Sequence, residues 1–156
     1  MKYHEPLTES EQQTAGVARP TAFALADKVR FNEIDALNHV NNVAYLVWFE
    51  TARVRYLRHF GLSEFGSDDP RIVIYKGEFT YLEEMLSEQS YIVTCRCVEF
   101  RNSSFTLENE VWVGPRLTAR FRCVIVVLEQ NGSAKMALPA KFIQTFEMVD
   151  GASRAT

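Results

Sequence analysis

The choice of fold rests on one segment, Val43-Ala-Tyr-Leu-Val-Trp-Phe-Glu-Thr-Ala-Arg-Val-Arg-Tyr-Leu-Arg-His-Phe60. Its large side chains recur at steps of three and four residues, with neither Gly nor Pro among them, which predicts a helix over 43–60. The first seven residues are apolar on nearly every side, and a helix of that kind is normally buried inside a larger structure. Gly61 is placed to end this helix, and Asn41 or Asn42 can cap its start.

The segments on either side of this helix are typical of β-strands. One strand is predicted before it, over Ala22–Phe31, with Phe23, Leu25, Val29 and Phe31 on one face. Four more strands, rich in β-branched and aromatic residues, are predicted after it: Arg71–Tyr81, Glu88–Arg101, Ser103–Val113 and Thr118–Glu129. Consecutive strands favour antiparallel pairing, and a single helix cannot cover both faces of a sheet. The sequence therefore predicts an α+β fold in which one antiparallel sheet wraps around one long hydrophobic helix, and the uncovered apolar surface suggests self-association.

The length and composition limit the classes of function. The chain has 156 residues, of which 47% are hydrophobic, enough for one domain with a sizeable core. Seventeen Lys and Arg against twenty Asp and Glu give a net charge of −3, which argues against a general nucleic-acid-binding surface. No run approaches the roughly 18 apolar residues of a transmembrane helix, so membrane insertion is not expected.

The ends of the chain differ from its middle. Residues 1–20 are polar and lack periodicity, so they are predicted to be a flexible leader before a single domain over 21–150. Pro139 precedes a short closing helix predicted over Ala140–Met148.

The cysteines give no sign of a disulfide framework or a metal site. There are only three, and reduced thiols in a cytoplasmic protein are the simplest interpretation. Cys95 and Cys97 fall on one face of a predicted strand, but no second pair or histidine cluster completes a zinc site. Packing in the core is the favoured interpretation for both.

The densest cluster of polar side chains is Asn32-Glu-Ile-Asp-Ala-Leu-Asn-His-Val-Asn-Asn42, between the first strand and the helix. Within it, residues 35–42 place a carboxylate (Asp35), an imidazole (His39) and three amides just before a helix start, where free N–H groups and the helix dipole favour negative charge. This suits a carbonyl oxygen that becomes an oxyanion: Asp35 would attack or deprotonate water, and an N–H near Asn42 would polarise the carbonyl. The alternative is a capping loop whose side chains only satisfy turn and helix-end groups.

Two motifs carry a resemblance to the hotdog-fold acyl thioesterases: Val29-Arg-Phe-Asn-Glu-Ile-Asp-Ala-Leu-Asn-His-Val-Asn-Asn-Val-Ala-Tyr45 and Trp48-Phe-Glu-Thr-Ala-Arg53. The 4-hydroxybenzoyl-CoA thioesterase-like branch is the most similar. Weaker similarity continues through Ser103-Ser-Phe105 and Leu138-Pro139, so the resemblance covers nearly the whole domain. The stretch His39-Val-Asn-Asn-Val with Tyr45 is also similar to the plant acyl-carrier-protein thioesterases.

The resemblance implies a hotdog fold and a cytoplasmic thioesterase that hydrolyses acyl-CoA or acyl-carrier-protein thioesters. Asp35 matches the family's catalytic carboxylate, as nucleophile or general base, and His39 matches a histidine of the plant enzymes, here orienting Asp35 or the substrate. Asn42 falls at the helix-start amide that polarises the carbonyl, and Asn38 and Tyr45 are expected to help bind the substrate. No metal or redox cofactor is expected, since coenzyme A or pantetheine enters as part of the substrate. A homodimer or homotetramer with sites at subunit interfaces is also implied.

Three positions depart from the relatives. Leu37 stands where the plant enzymes have an asparagine, Phe31 where bacterial relatives often have a tyrosine, and Asn42 where they often have a histidine. Asp35 matches the catalytic carboxylate in every comparison. The resemblance therefore supports the role of this carboxylate more strongly than it supports a complete network of catalytic residues. Hydratases and dehydratases of this fold carry Asp-x-Asn-Pro-x-His or His-Phe-Pro, and neither motif occurs. A non-catalytic protein that binds acyl thioesters is the remaining alternative.

Other charged residues have a structural interpretation beside the functional one. Glu50 and Arg53 are three residues apart on the helix, and an ion pair at that spacing is usually structural rather than catalytic. Several cations either meet the phosphates of coenzyme A or form a solvated face: Lys76, Arg96, Arg101, Arg116, Arg120, Arg122 and Lys135.

Overall fold

A computed structural model describes all 156 residues, which form three α-helices and six strands. In chain order these are α1 (Glu9–Thr14), β1 (Ala24–Lys28), α2 (Asn42–His59), β2 (Arg71–Tyr81), β3 (Ser90–Phe100), β4 (Ser104–Val113), β5 (Arg116–Leu128), α3 (Ala140–Met148) and β6 (Ser153–Arg154). None of the helices is long and apolar enough to cross a membrane.

The strands form one sheet in the order β1-β3-β4-β5-β2, with antiparallel neighbours throughout. The short β6 adds a parallel partner to β3. Because β1 and β2 occupy opposite edges, the segment that joins them, which contains α2, has to cross the sheet. The predicted α+β hotdog architecture, a sheet around one long helix, is confirmed.

The main core lies between α2 and the inner face of the sheet. Tyr45, Phe49 and Tyr56 of α2 are buried there, and the ring of Phe49 stacks on Phe121 of β5 at 5.5 Å. The opposite face of the helix is not covered within the chain, since Val43 and Val47 are more than half exposed. The helix that is apolar on nearly every side is therefore buried on one side only.

The first strand is shorter than its alternation predicts. β1 ends at Lys28, which pairs with Ser90, the first residue of β3. The chain then turns through a short 3-10 helix, Phe31–Glu33, and Phe31 is 89% exposed instead of lying on the buried face. The prediction for Phe31 is wrong because the alternation of apolar residues in the sequence continues past the end of β1. Beyond that end, β3 has no residue left for the first strand to pair with.

The first twenty residues are not the loosely ordered leader that their polarity suggests. Thr8 and Glu11 form a reciprocal capping box at the start of α1. Leu7 and Val17 are buried against the outer face of the sheet, in a second apolar cluster that includes Trp112.

The side chain of Gln12 joins the two ends of this segment. It is fully buried, donates to the carbonyl oxygens of Leu7 and Thr21, and accepts a hydrogen bond from the N–H of Thr21. Satisfied polar groups of this kind hold a short helix in place that would be marginal by itself.

The middle of the outer face carries an arginine–glutamate network of six side chains: Arg19, Arg96, Arg120, Arg122, Glu108 and Glu110. Arg96 and Arg122 both donate to Glu108, at 2.8 and 2.7 Å. Arg19 and Arg120 both donate to Glu110. Burial opposes ionisation of Glu108, but the hydrogen bonds from the two arginines outweigh it and lower the pKa of this carboxyl group.

Beyond the middle of α2, a half-buried aspartate ties the C-terminal segment to the core. Asp150 accepts hydrogen bonds from the hydroxyl of Tyr56 and, at 2.8 Å, from the N–H of Cys97. Its other carboxylate oxygen is buried and has no partner. Burial raises the pKa of Asp150, although both hydrogen bonds act to lower it. All three cysteines are buried and free, which confirms that they pack in the core.

Candidate active site

The loop between β1 and α2 holds Asp35 in a tight turn. Its backbone N–H donates to the carbonyl of His39 at 3.0 Å, and one carboxylate oxygen accepts the N–H of Leu37 at 2.8 Å. Asn38 makes this turn with a left-handed backbone, φ = 64°, a conformation that asparagine tolerates better than most residues. The second carboxylate oxygen of Asp35 accepts no hydrogen bond from the protein, so the turn fixes the residue and leaves one oxygen available.

His39 lies between two carboxylates. Its Nδ1 is 3.9 Å from Oδ1 of Asp35, and its Nε2 is 4.0 Å from Oε2 of Glu84. Both separations exceed a hydrogen bond but are short enough for a charged imidazole to be attracted to each neighbour. The side chain of His39 therefore lies beside Asp35, and Glu84 adds negative charge to the same place.

The start of α2 supplies free hydrogen-bond donors beside this loop. The side chain of Asn41 caps the helix by accepting the N–H of Ala44 at 2.9 Å, and it also donates to the carbonyl of Glu33. The N–H groups of Asn42 and Val43 have no acceptor within the helix, because the residues four positions earlier lie outside it. Together with the positive end of the helix dipole, they favour a developing negative charge.

One open pocket of about 380 Å³ brings these groups together. It is lined by nine residues: Asp35, His39, Val40, Asn42, Tyr45, Tyr81, Leu82, Glu83 and Glu84. Four of the five residues predicted to form the site therefore share one cavity. Asn38 does not, because it lies exposed at the tip of the turn.

Two tyrosines form the aromatic side of the pocket. The ring of Tyr45 is buried against Trp48 and Tyr81, with centroids 5.0 and 5.6 Å away, and its hydroxyl has no hydrogen-bond partner in the protein. Burial raises the pKa of Tyr45 to about 12, so this hydroxyl is a donor at neutral pH. Tyr81 donates to the carbonyl of Asn42 at 3.3 Å and thereby contacts the helix start.

Sequence reasoning missed Tyr81, Glu83 and Glu84. They come from the end of β2 and the loop after it, 46 to 49 positions beyond Asp35, and no local motif marks them. That loop lies near the start of α2 only because the segment that contains α2 crosses the sheet to the opposite edge. The backbone hydrogen bond from Val40 to Met85, 2.8 Å long, joins the two loops.

The remaining charged residues fall outside the pocket. Glu50 is exposed and makes no ion pair with Arg53, so the structural pair expected from their spacing is absent. Arg116 pairs with Glu83 at 2.7 Å, which brings a cation beside the pocket. No group of three or more His, Cys, Asp or Glu side chains is arranged to hold a metal ion.

The geometry suits chemistry at a carbonyl group. A carbonyl oxygen at the start of α2 would meet the free N–H groups in the pocket that Asp35 also lines. The hydroxyl of Tyr45 offers a further donor in the same pocket.

Comparisons with known proteins agree with this arrangement. A family model described as the thioesterase-like superfamily matches residues 29–146. A crystal structure of a thioesterase superfamily protein from Jannaschia sp. CCS1 is 35% identical, covers 99% of each chain and superposes with a TM-score of 0.92. A thioesterase from Thermus thermophilus, solved with coenzyme A and Zn, is 30% identical over 82% of this chain and 94% of its own, with a TM-score of 0.71.

A gentisyl-coenzyme A thioesterase, 19% identical over 79% of this chain and 98% of its own with a TM-score of 0.69, shares the fold. A search of curated proteins found no match.

Proposed function

The chain belongs to the thioesterase-like superfamily, and from this premise we propose that it hydrolyses acyl thioesters of coenzyme A or of an acyl carrier protein to the free acid and the thiol. The observation that carries the proposal is the position of Asp35. Its carboxylate is fixed by the turn, keeps one oxygen available, and lines the same pocket as Asn42 at the start of α2.

Asp35 acts in one of two ways. As a nucleophile, its free oxygen attacks the thioester carbon, the C–S bond breaks, and water then hydrolyses the resulting mixed anhydride. As a general base, it takes a proton from water while the water oxygen attacks the same carbon, and the proton passes to the departing thiolate. In both routes the carbonyl oxygen becomes negative, and the N–H groups of Asn42 and Val43 stabilise that charge.

The other residues of the pocket position the substrate. His39 orients Asp35 or the thioester from its place between Asp35 and Glu84. The hydroxyl of Tyr45 donates to an acceptor atom of the acyl group or thioester. Asn38, predicted as a further binding residue, lies outside the pocket and is left out of the proposed binding set.

The acyl group of the substrate is already activated as a thioester, so the proposed reaction uses no metal or redox cofactor. The Thermus thermophilus relative was solved with coenzyme A, which favours coenzyme A as the carrier in this chain too. Three free cysteines fit a reducing compartment, and we place the activity in the cytoplasm on that ground.

We also propose that the protein works as a homodimer or homotetramer. Apolar side chains on the uncovered face of α2, among them Val43, Leu46 and Val47, remain exposed in the single chain. On β2, an eleven-residue edge strand, Ile74 and Tyr75 are also exposed. A second copy would cover both surfaces. Light scattering at micromolar concentration should give a multiple of 17.9 kDa, and a stable monomer would contradict self-association.

Thiol release from a panel of acyl-CoA thioesters, aliphatic chains of graded length and benzoyl-CoA, tests the activity. At least one should be turned over by the wild-type protein and spared by Asp35→Asn. If thioesters bind without turnover, the protein is instead a non-catalytic acyl-thioester-binding member of the family.

A further inference from the structure

The pocket that Asp35 lines, which we call the catalytic pocket, carries more negative than positive charge. Three of its nine lining residues are carboxylates, Asp35, Glu83 and Glu84, and none is a lysine or an arginine. Arg116 pairs with Glu83 at 2.7 Å and offsets that charge from outside the lining. The only basic side chain within ion-pair distance of Asp35 or Glu84 is His39. Two carboxylates of the pocket are therefore left without a permanent counter-charge.

One wall of the catalytic pocket is an aromatic corner made by Tyr45 and Tyr81. The planes of the two rings meet at 78°, with their centroids 5.6 Å apart, and both residues line the pocket. One face of the Tyr81 ring stacks on Phe79 at 4.1 Å, yet the residue is 52% exposed, so its other face is open. The face of a tyrosine ring carries partial negative charge and attracts a cation. Tyr81 is the last residue of β2 and Tyr45 is part of the core, so neither is among the apolar side chains that a second copy would cover.

Both features lie next to the groups that would hold the thioester. The hydroxyl of Tyr81 donates to the carbonyl of Asn42, at the start of α2, over 3.3 Å. Oε2 of Glu84 is 4.0 Å from Nε2 of His39, and Nδ1 of the same ring is 3.9 Å from Oδ1 of Asp35. A compact acyl group bound with its carbonyl at the start of α2 therefore has the tyrosine rings and Glu84 within the same pocket.

We propose that the catalytic pocket prefers acyl groups that end in a quaternary ammonium cation. The cation would lie against the rings of Tyr45 and Tyr81, and the carboxylate of Glu84 would balance its charge. Aromatic faces and a carboxylate suit this group because both attract a cation and neither needs it to donate a hydrogen bond. An acyl group with its own carboxylate would be repelled by the same residues. The preference rests on the proposed function, since it concerns the acyl half of the thioester that this pocket would hydrolyse.

The test compares two coenzyme A thioesters of nearly identical shape. One carries a trimethylammoniobutanoyl group, and in the other a carbon atom replaces the nitrogen, which removes the charge. The wild-type protein should hydrolyse the cationic thioester with a kcat/KM at least about ten-fold above that of the neutral isostere. Equal values, or a preference for the neutral isostere, would overturn the inference and leave the proposed hydrolysis intact.

Two substitutions connect the preference to its residues. Glu84→Gln removes a charge and should lower the ratio of the two kcat/KM values about five-fold. Tyr81→Leu removes a ring and should lower the ratio about three-fold, whereas Tyr81→Phe keeps the ring and should leave the ratio unchanged. A wild-type ratio in both Glu84→Gln and Tyr81→Leu would overturn the inference. Thermal unfolding of each variant separates loss of the site from loss of the fold.

The matched control for charge is Glu88→Gln. Glu88 pairs with Lys28 at 3.1 Å and does not line the catalytic pocket, so its replacement should leave the ratio unchanged. A fall as large as that in Glu84→Gln would show that the overall charge of the protein sets the ratio, and it would overturn the inference.

A binding measurement separates failure of this inference from failure of the proposed function. Thioether analogues of the two substrates, in which a methylene replaces the carbonyl, cannot be hydrolysed, and calorimetry measures their affinity for the wild-type protein. The cationic analogue should bind at least about ten-fold more tightly than the neutral one. If it does so although no thioester is turned over, the proposed hydrolysis is refuted and the preference of the pocket stands. Equal affinities of the two analogues would refute the preference.

Discussion

Two aspartates next to α2 are held in opposite ways. Asp35, near the start of the helix, is part-exposed, and only one of its oxygens accepts a hydrogen bond, from the N–H of Leu37. Asp150 packs against the far half of the helix, where it accepts from the Tyr56 hydroxyl and the Cys97 N–H. The first carboxylate is anchored but available to a substrate. The second contributes to holding the C-terminal segment, and it lies outside the catalytic pocket.

The largest expected effect is on activity at Asp35. Asp35→Asn keeps the turn, because an amide oxygen also accepts the N–H of Leu37, but it removes the base or nucleophile. We expect turnover of an acyl-CoA to fall by about 100-fold or more, roughly 2.7 kcal/mol of barrier, with unchanged stability. Steady-state kinetics and urea unfolding of the same preparation check both parts. Near wild-type hydrolysis by the folded variant would remove Asp35 from the mechanism.

Asp150 should show the reverse pattern. Asp150→Ala leaves a buried hydroxyl and a buried N–H without an acceptor, so we expect a loss of about 2 kcal/mol in the free energy of unfolding. The kcat of the molecules that remain folded should not change. Asp150→Asn, which keeps an acceptor oxygen, is the matched control and should cost less. An Ala variant as stable as the wild type would show that these hydrogen bonds contribute nothing.

Replacing His39 should lower turnover less than replacing Asp35 and more than replacing Asp150. It lies beyond hydrogen-bond distance from Asp35, and Leu37 stands where the plant enzymes place an asparagine. His39→Asn should therefore cost about 10-fold in turnover, roughly 1.4 kcal/mol. The turnover of His39→Asn and that of Asp35→Asn are measured with the same thioester. Equal inactivity of the two variants would make His39 an acid–base partner rather than a positioning residue.

The smallest expected effect is a pH dependence of stability from Asp150. Because its pKa is raised in the folded protein, this residue stays protonated at a pH where the unfolded chain has already lost the proton. Its contribution to stability therefore falls as the pH rises from about 4 through the raised pKa, and it is flat above that. Urea unfolding of the wild type and Asp150→Asn between about pH 4 and 7 should give a difference that declines with pH. A constant difference would contradict the raised pKa.

The sequence predicted the elements with strong periodicity and clear ends. The bounds of β2 and α3 coincide with their predictions, and α2 begins and ends one residue early. The first twenty residues were misjudged because a six-residue helix is too short to show a period. The signal was present in Thr8 and Glu11, whose spacing is that of a capping box.

The residues of the candidate site likewise divide into those that the sequence reveals and those that it does not. Asp35, His39 and Asn42 are close in sequence, so one loop motif points to all of them. Tyr81 and Glu84 enter the pocket only through the pairing of β2 with β5 at the far edge of the sheet.

In the arginine–glutamate network on the outer face of the sheet, the arginines should tolerate substitution better than the glutamates. Each glutamate accepts from two arginines, so losing one arginine leaves its carboxylate with a second donor. Losing Glu108 would instead leave Arg96 and Arg122 close together without their shared counter-charge. Substitutions at this surface should therefore accumulate at the arginines, whereas the two buried glutamates should rarely be replaced.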